Sequence, residues 1–161
     1  MSRRRPPTWQ ASLAGAAAGA AGTTALNAVT YLDMVLRARP ASSTPDKAVE
    51  RLSELTHVPI PGEAQARENR VAGLGPLSGL GAGVAIGVAL ALTRRASPPM
   101  RPGPTMAVAA LGVMLATNGP MAVSGFTDPR SWKAKDWLAD VVPHVAYGIV
   151  ATRLLIALDE M

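Results

Sequence analysis

Four apolar stretches, at about 10–36, 73–93, 105–123 and 137–158, alternate with polar segments along the chain. Each approaches the roughly 20 residues that a helix needs to cross about 30 Å of hydrocarbon. Within them the pattern is set by small residues. In the second stretch Gly75, Gly79, Gly83 and Gly87 recur at every fourth position, which on a helix is one face. In the first, Ala11, Gly15, Gly19, Thr23 and Asn27 step the same way, and in the fourth so do Asp140, His144, Gly148 and Thr152. A helix in water loses about 1 kcal/mol at each interior glycine relative to alanine, and here it has few large side chains to bury in return. In lipid the same residues let a neighbouring backbone approach closely enough to collect van der Waals contact. The pattern predicts an all-α fold, a four-helix transmembrane bundle occupying residues 1–161 as a single membrane domain. The first two spans should touch along Gly15, Gly19 and Thr23 on one side and Gly75, Gly79, Gly83 and Gly87 on the other, with Gly148 a further packing position.

The connections differ in kind. Residues 37–70 form a long loop in which Thr44-Pro45 starts a short helix, a capping hydroxyl followed by a proline at the first helical position, with Asp46 favourably placed in the first turn. Ala48, Val49, Leu52 and Leu55 then make an apolar stripe opposite Lys47, Glu50, Arg51 and Glu54, and Val58-Pro59-Ile60-Pro61-Gly62 ends it. Such a helix either lies on the membrane surface or caps the bundle. The third stretch contains Asn118-Gly119-Pro120, and a helix kinked there fills the bilayer better than one that stops short. Four spans put both termini on one side. That side is assigned to the cytoplasm because Arg3, Arg4 and Arg5, and the turn holding Arg94, Arg95 and Arg101, are basic without an intervening acid. A basic start before an apolar run also describes a cleaved signal, but this run is longer than such a signal and further spans follow.

Composition narrows the chemistry. The chain is 48% hydrophobic yet only 4% aromatic, so Ala, Gly and Val carry the apolar content, as suits thin, tightly packed helices. The net charge of +5 is scattered over segment ends and forms neither a stripe nor an aromatic-interleaved patch, which argues against nucleic-acid binding. The chain has no cysteine, which removes disulfides and thiolate chemistry. With two histidines, His57 and His144, no metal-ligand spacing appears, and no cofactor motif is present. Trp9, Trp132 and Trp137 flank apolar stretches, where amphipathic rings anchor at the headgroup boundary.

Few polar groups fall inside the spans, and Asn27, Asp33, Asn118, Asp140 and His144 all map to one half of the membrane, with Tyr147 nearby. Two readings follow. As a site, His144 would exchange a proton, Asp140 would accept from the imidazole one turn away, and Asn27 and Asn118 would hold a polar ligand. As structure, the same groups fix helix register through interhelical hydrogen bonds, each worth about 1 kcal/mol. The second is the more ordinary arrangement. No nucleophile with an adjacent base is found, so no enzyme is indicated.

At His144-Val145-Ala146-Tyr147-Gly148, at Asp128-Pro129-Arg130-Ser131-Trp132 and over the opening GAAAGAAGTTALNAVTYLDM, the chain resembles uncharacterised small multi-pass integral membrane proteins of actinobacteria. The resemblance implies several transmembrane helices in a bacterial plasma (inner) membrane and assigns no activity and no functional residue. The expected protein is a structural or regulatory membrane component, a homo-oligomer or the small subunit of a membrane-protein assembly, with the lipid bilayer as its principal partner. The alternative is a small transporter or channel using the polar cluster around Asp140 and His144.

Overall fold

The structure is a computed structural model that describes residues 6–96, 101–123, 125 and 127–160. Arg3 to Arg5, on which the sidedness argument partly rests, and residues 97–100 of the following turn lie outside the described residues. Helices account for all regular structure among the described residues: α1 (Thr8–Arg37), α2 (Thr44–Thr56), α3 (Ala64–Ala96), α4 (Pro102–Val123) and α5 (Ala134–Glu160), with one 3-10 turn at Pro129–Ser131. The four long helices form a ring in which α1 packs on α3 and α5, α5 on α4, and α4 on α3. Gly15 lies against Gly87 and Gly19 against Gly83, so α1 and α3 run antiparallel.

Glycine makes the α1–α3 contact possible. A Cβ on Gly15 would stand 2.6 Å from the Gly87 carbonyl oxygen and 2.7 Å from Val88 Cα, distances no real Cβ tolerates. A Cβ on Gly19 would run into the Gly83 carbonyl, and one on Gly87 into the Gly15 carbonyl. Thr23 completes the seam: its side chain occupies the space over Gly83, and its hydroxyl donates to Gly19 O at 2.9 Å. The other two glycines of the ridge do not share this face. With 3.6 residues per turn, each step of four overshoots by about 40°, so the row winds around α3. Gly75 faces Pro45 and Asp46 of α2, and Gly79 has nothing within 4 Å.

Small residues line the close helix contacts, and many large aliphatic residues lie on the outside. Tyr147, Met121, Leu155, Val113, Thr105 and Thr152 fill the centre, each under 2% exposed, amid Ala18, Ala91, Ala109 and Ala151. Leu77, Leu80, Val108, Leu111, Leu115, Val142, Val145 and Ile149 point outward. Only 28%, 22% and 39% of the most apolar windows of α3, α4 and α5 are buried. Most residues of those windows are therefore at least partly open to whatever surrounds the bundle.

These three helices are long and apolar enough to cross a membrane; α1 is not among them, which corrects the expectation of four such spans. Length is not the obstacle, since α1 has 30 residues. Its middle is Ala, Gly and Thr with Asn27, and such residues add little hydropathy. Their shared merit is size, and Ala11, Gly15, Ala18, Gly19, Gly22 and Thr23 are all buried.

Backbone geometry sets the helix limits. Helix α4 continues through Pro120, and α5 starts at Ala134 and carries Pro143 in its interior; each proline removes one backbone donor from its helix. Helix α2 is preceded by Ser43 at its N-cap, makes no side-chain cap bond, and takes Thr44 as its first residue. Helix α3 begins at Ala64, well before its apolar stretch, and α2 packs antiparallel along that extension, with Pro45 and Asp46 at Gly75 and Glu50 bonded to Arg67 at 2.9 Å.

Candidate functional site: a polar tie between α4 and α5

Four side chains meet where the second half of α4 passes the first half of α5. Thr117 and Asn118 are neighbours on α4, while Asp140 and His144 are one turn apart on α5. Adjacent residues on one helix can therefore reach a four-residue pair on the other. Asn118 Nδ2 donates to Asp140 Oδ2 at 2.8 Å, and Thr117 Oγ1 lies 3.3 Å from His144 Nε2. The short bond of the imidazole is not to the Asp140 carboxylate. Nδ1 lies 2.6 Å from the Asp140 main-chain oxygen and 3.7 Å from Oδ1, so the near acceptor on Asp140 is its main-chain carbonyl. The cause is geometric: a side chain folded back along its own helix meets the carbonyl of residue i−4 first.

Hydrogen accounting assigns the ring. A carbonyl only accepts, so Nδ1 carries a proton and donates. If Nε2 is bare, the Thr117 hydroxyl donates to it. If Nε2 is protonated, it donates to Thr117, whose own hydrogen then goes to Val113 O at 3.0 Å. Either arrangement leaves both ring nitrogens engaged, so neither is presented as a base or a ligand. The ring also forms part of the floor of an outward-opening groove of about 270 Å³ between α4 and α5, otherwise lined by Ala107, Ala110, Leu111, Met114, Val141 and Val145.

The other sequence-selected residues lie elsewhere. The Tyr147 hydroxyl donates to Gly83 O at 2.6 Å and crosses the bundle to α3. Its ring covers Gly22, where an added Cβ would meet it at 2.7 Å. Asn27 is half-buried on α1, and no side-chain hydrogen bond joins it to the tie. Asp33 accepts from Arg37 at 2.6 Å and Arg39 at 2.5 Å, and Arg37 also donates to Lys135 O, fastening the end of α1 to the start of α5. The five residues assigned to one membrane half thus divide into the α4–α5 tie of Asn118, Asp140 and His144, a separate charged knot on Asp33 at the end of α1, and Asn27, which joins neither. Gly148 packs on α4, where a Cβ would strike the Met106 carbonyl and stand 2.9 Å from Ala110 Cβ. Among the described residues no three His, Cys, Asp or Glu side chains group to hold a metal ion. Thr117 is the participant that sequence reasoning missed: a lone threonine in an apolar helix usually bonds its own backbone, as Thr23, Thr24, Thr93 and Thr105 do here.

The arrangement acts as a cross-tie. Asn118→Ala and Asp140→Ala are each expected to lower thermal stability in detergent. The double substitution should cost about 1 kcal/mol less than the sum, the coupling of one interhelical bond; strict additivity in that double-mutant cycle would show that the two groups do not interact.

No protein-family model, curated protein or solved structure matches this chain.

Proposed function

We propose that the chain is a multi-pass protein of the bacterial inner membrane in which α1 crosses together with α3, α4 and α5, and that it serves as a structural or regulatory component of a membrane assembly. One observation carries this reading: the bundle's apolar bulk is turned outward, while glycine, alanine and threonine fill the seams. In water that distribution would expose much of the hydrophobic surface that folding normally removes from solvent. In lipid it is the packing that holds helices together. Helix α1 fits the scheme because α3 and α5 shelter its weakly apolar middle, so it need not be strongly hydrophobic on its own. A conduit is less well supported, since Tyr147, Met121, Leu155 and Val113 close the centre and both nitrogens of His144 are occupied.

The test uses the absence of cysteine from the sequence. Single cysteines at Thr8, Ser43, Ala96 and Ser131, all exposed, are probed in sealed membrane vesicles with an impermeant thiol reagent. Thr8 and Ala96 should react from one side, and Ser43 and Ser131 from the other. Labelling of Thr8 and Ser43 from the same side would remove α1 from the membrane, and recovery of the chain in the soluble fraction without detergent would overturn the reading entirely.

A further inference from the structure

We propose that the groove between the start of α1 and the end of α5 binds one anionic phospholipid, with its phosphate on Arg94 and Arg95 and an acyl chain lying along α1. The proposal rests on the membrane reading above. The groove holds about 380 Å³, within the range of pockets that take small ligands. Its walls are apolar, Leu13, Ala14 and Ala17 of α1 with Leu158 of α5, while Gln10 and Asp159 lie with Pro6 at one end. From Gln10 to Ala17 the wall runs about 10 Å along the helix axis, the direction in which lipid chains lie beside a membrane-crossing helix.

Three features set the level of the polar end. The apolar stretch of α3 gives way there to Arg94 and Arg95, that of α5 gives way to Asp159 and Glu160, and Trp9, 62% exposed, stands beside Gln10. Helices that cross a bilayer change from apolar to charged at the headgroup layer, and tryptophan rings collect in it. The mouth of the groove therefore lies among headgroups and its walls among acyl chains.

Charge at the mouth selects an anion. Both arginines are bonded to groove residues: Arg94 Nη2 donates to Asp159 Oδ2 at 3.2 Å, and Arg95 Nε donates to the Pro6 carbonyl at 2.8 Å. Neither guanidinium is saturated. The Arg94–Asp159 bond is longer than the roughly 2.7–2.9 Å of a well-made charged pair, and Nε and Nη1 of Arg94, both buried, have no partner. A buried donor left unmade costs about 1–3 kcal/mol. Among the described residues the terminal nitrogens of Arg95 also lack an acceptor. Glu160 is exposed and bonds neither arginine, so two guanidiniums against Asp159 leave the mouth positive, the complement of a phosphodiester. Arginine forks match phosphate oxygens, and a phospholipid brings both the phosphate and the apolar tail that the groove accommodates.

The full chain, purified in detergent, is melted with phosphatidylglycerol, with zwitterionic phosphatidylcholine and with inorganic phosphate. Phosphatidylglycerol should raise the melting temperature by at least about 5 °C at saturation and stay bound, one per chain, in native mass spectrometry. The other two should do neither. The shift should vanish in Arg94→Gln/Arg95→Gln and in Ala17→Trp, which fills the groove and leaves both arginines in place, so the second variant decides if the first fails to fold. Lys133→Gln/Lys135→Gln, at the opposite end of the bundle, should keep the full shift. An equal effect of phosphatidylcholine or of inorganic phosphate, a shift that survives the groove substitutions, or an equal loss in the lysine variant would each overturn the proposal. Failure of the membrane reading is seen separately, as recovery of the chain in the soluble fraction without detergent.

Discussion

Gly19→Leu is expected to part α1 from α3 and to destabilise the protein by about 3 kcal/mol, the upper range for forcing atoms into a filled site. The new side chain has nowhere to go, because a Cβ alone already collides with the Gly83 carbonyl and stands 2.8 Å from Val84 Cα. Both obstacles are backbone, so rotamer changes cannot relieve them. Gly79→Leu is the matched control. It belongs to the four-residue ridge of α3 that holds Gly83, yet nothing lies within 4 Å of its would-be Cβ, and it should shift stability by no more than about 0.5 kcal/mol. Thermal unfolding of the two variants in one detergent compares them directly. Equal losses would mean that glycine matters here for backbone freedom and not for helix approach.

Tyr147→Ala should be the most damaging side-chain truncation, at about 4 kcal/mol. Tyr147 is 0% exposed and touches three helices at once: it belongs to α5, its ring lies over Gly22 of α1, and its hydroxyl bonds Gly83 O of α3. Truncation leaves a cavity with glycine on two sides, where no large neighbour can collapse inward. Tyr147→Phe keeps the ring and removes only the hydrogen bond, so about 1 kcal/mol should be lost. A Phe variant as unstable as the Ala variant would show that the hydroxyl, and not the volume, holds the centre together. Because Gly83 takes the hydroxyl of Tyr147 and lies under Thr23, Tyr147→Ala should also be strongly non-additive with substitutions at Thr23.

Much of the helical framework can be read from the chain, for reasons visible in particular residues. The apolar stretches around Gly73–Thr93, Thr105–Val123 and Trp137–Leu158 each fall within an observed helix, since a long apolar run bounded by charge has few alternatives. The limits of those helices are less legible. Helix α3 reaches back to Ala64 because α2 packs alongside its polar beginning, a tertiary contact to which periodicity is blind. The polar site was legible in its members Asn118, Asp140 and His144, which are conspicuous in an apolar setting. It was not legible in its geometry, because nothing in the spacing says that Asp140 would offer its carbonyl to the imidazole, or that Thr117 would lie within 3.3 Å of Nε2.

What the sequence by itself determined is the choice of solvent-facing material and the presence of four long helices with small-residue ridges: composition and four-residue periodicity are local properties, and they need no partner to be expressed. What only the tertiary structure decided is which notch receives which neighbour. Gly15 and Gly19 close on Gly87 and Gly83, Gly75 turns to α2, Gly79 faces nothing, and Asp33 leaves the polar group for Arg37 and Arg39. The physical reason is that a four-residue ridge winds around a 3.6-residue helix, so the face each glycine presents depends on where the neighbouring helix stands.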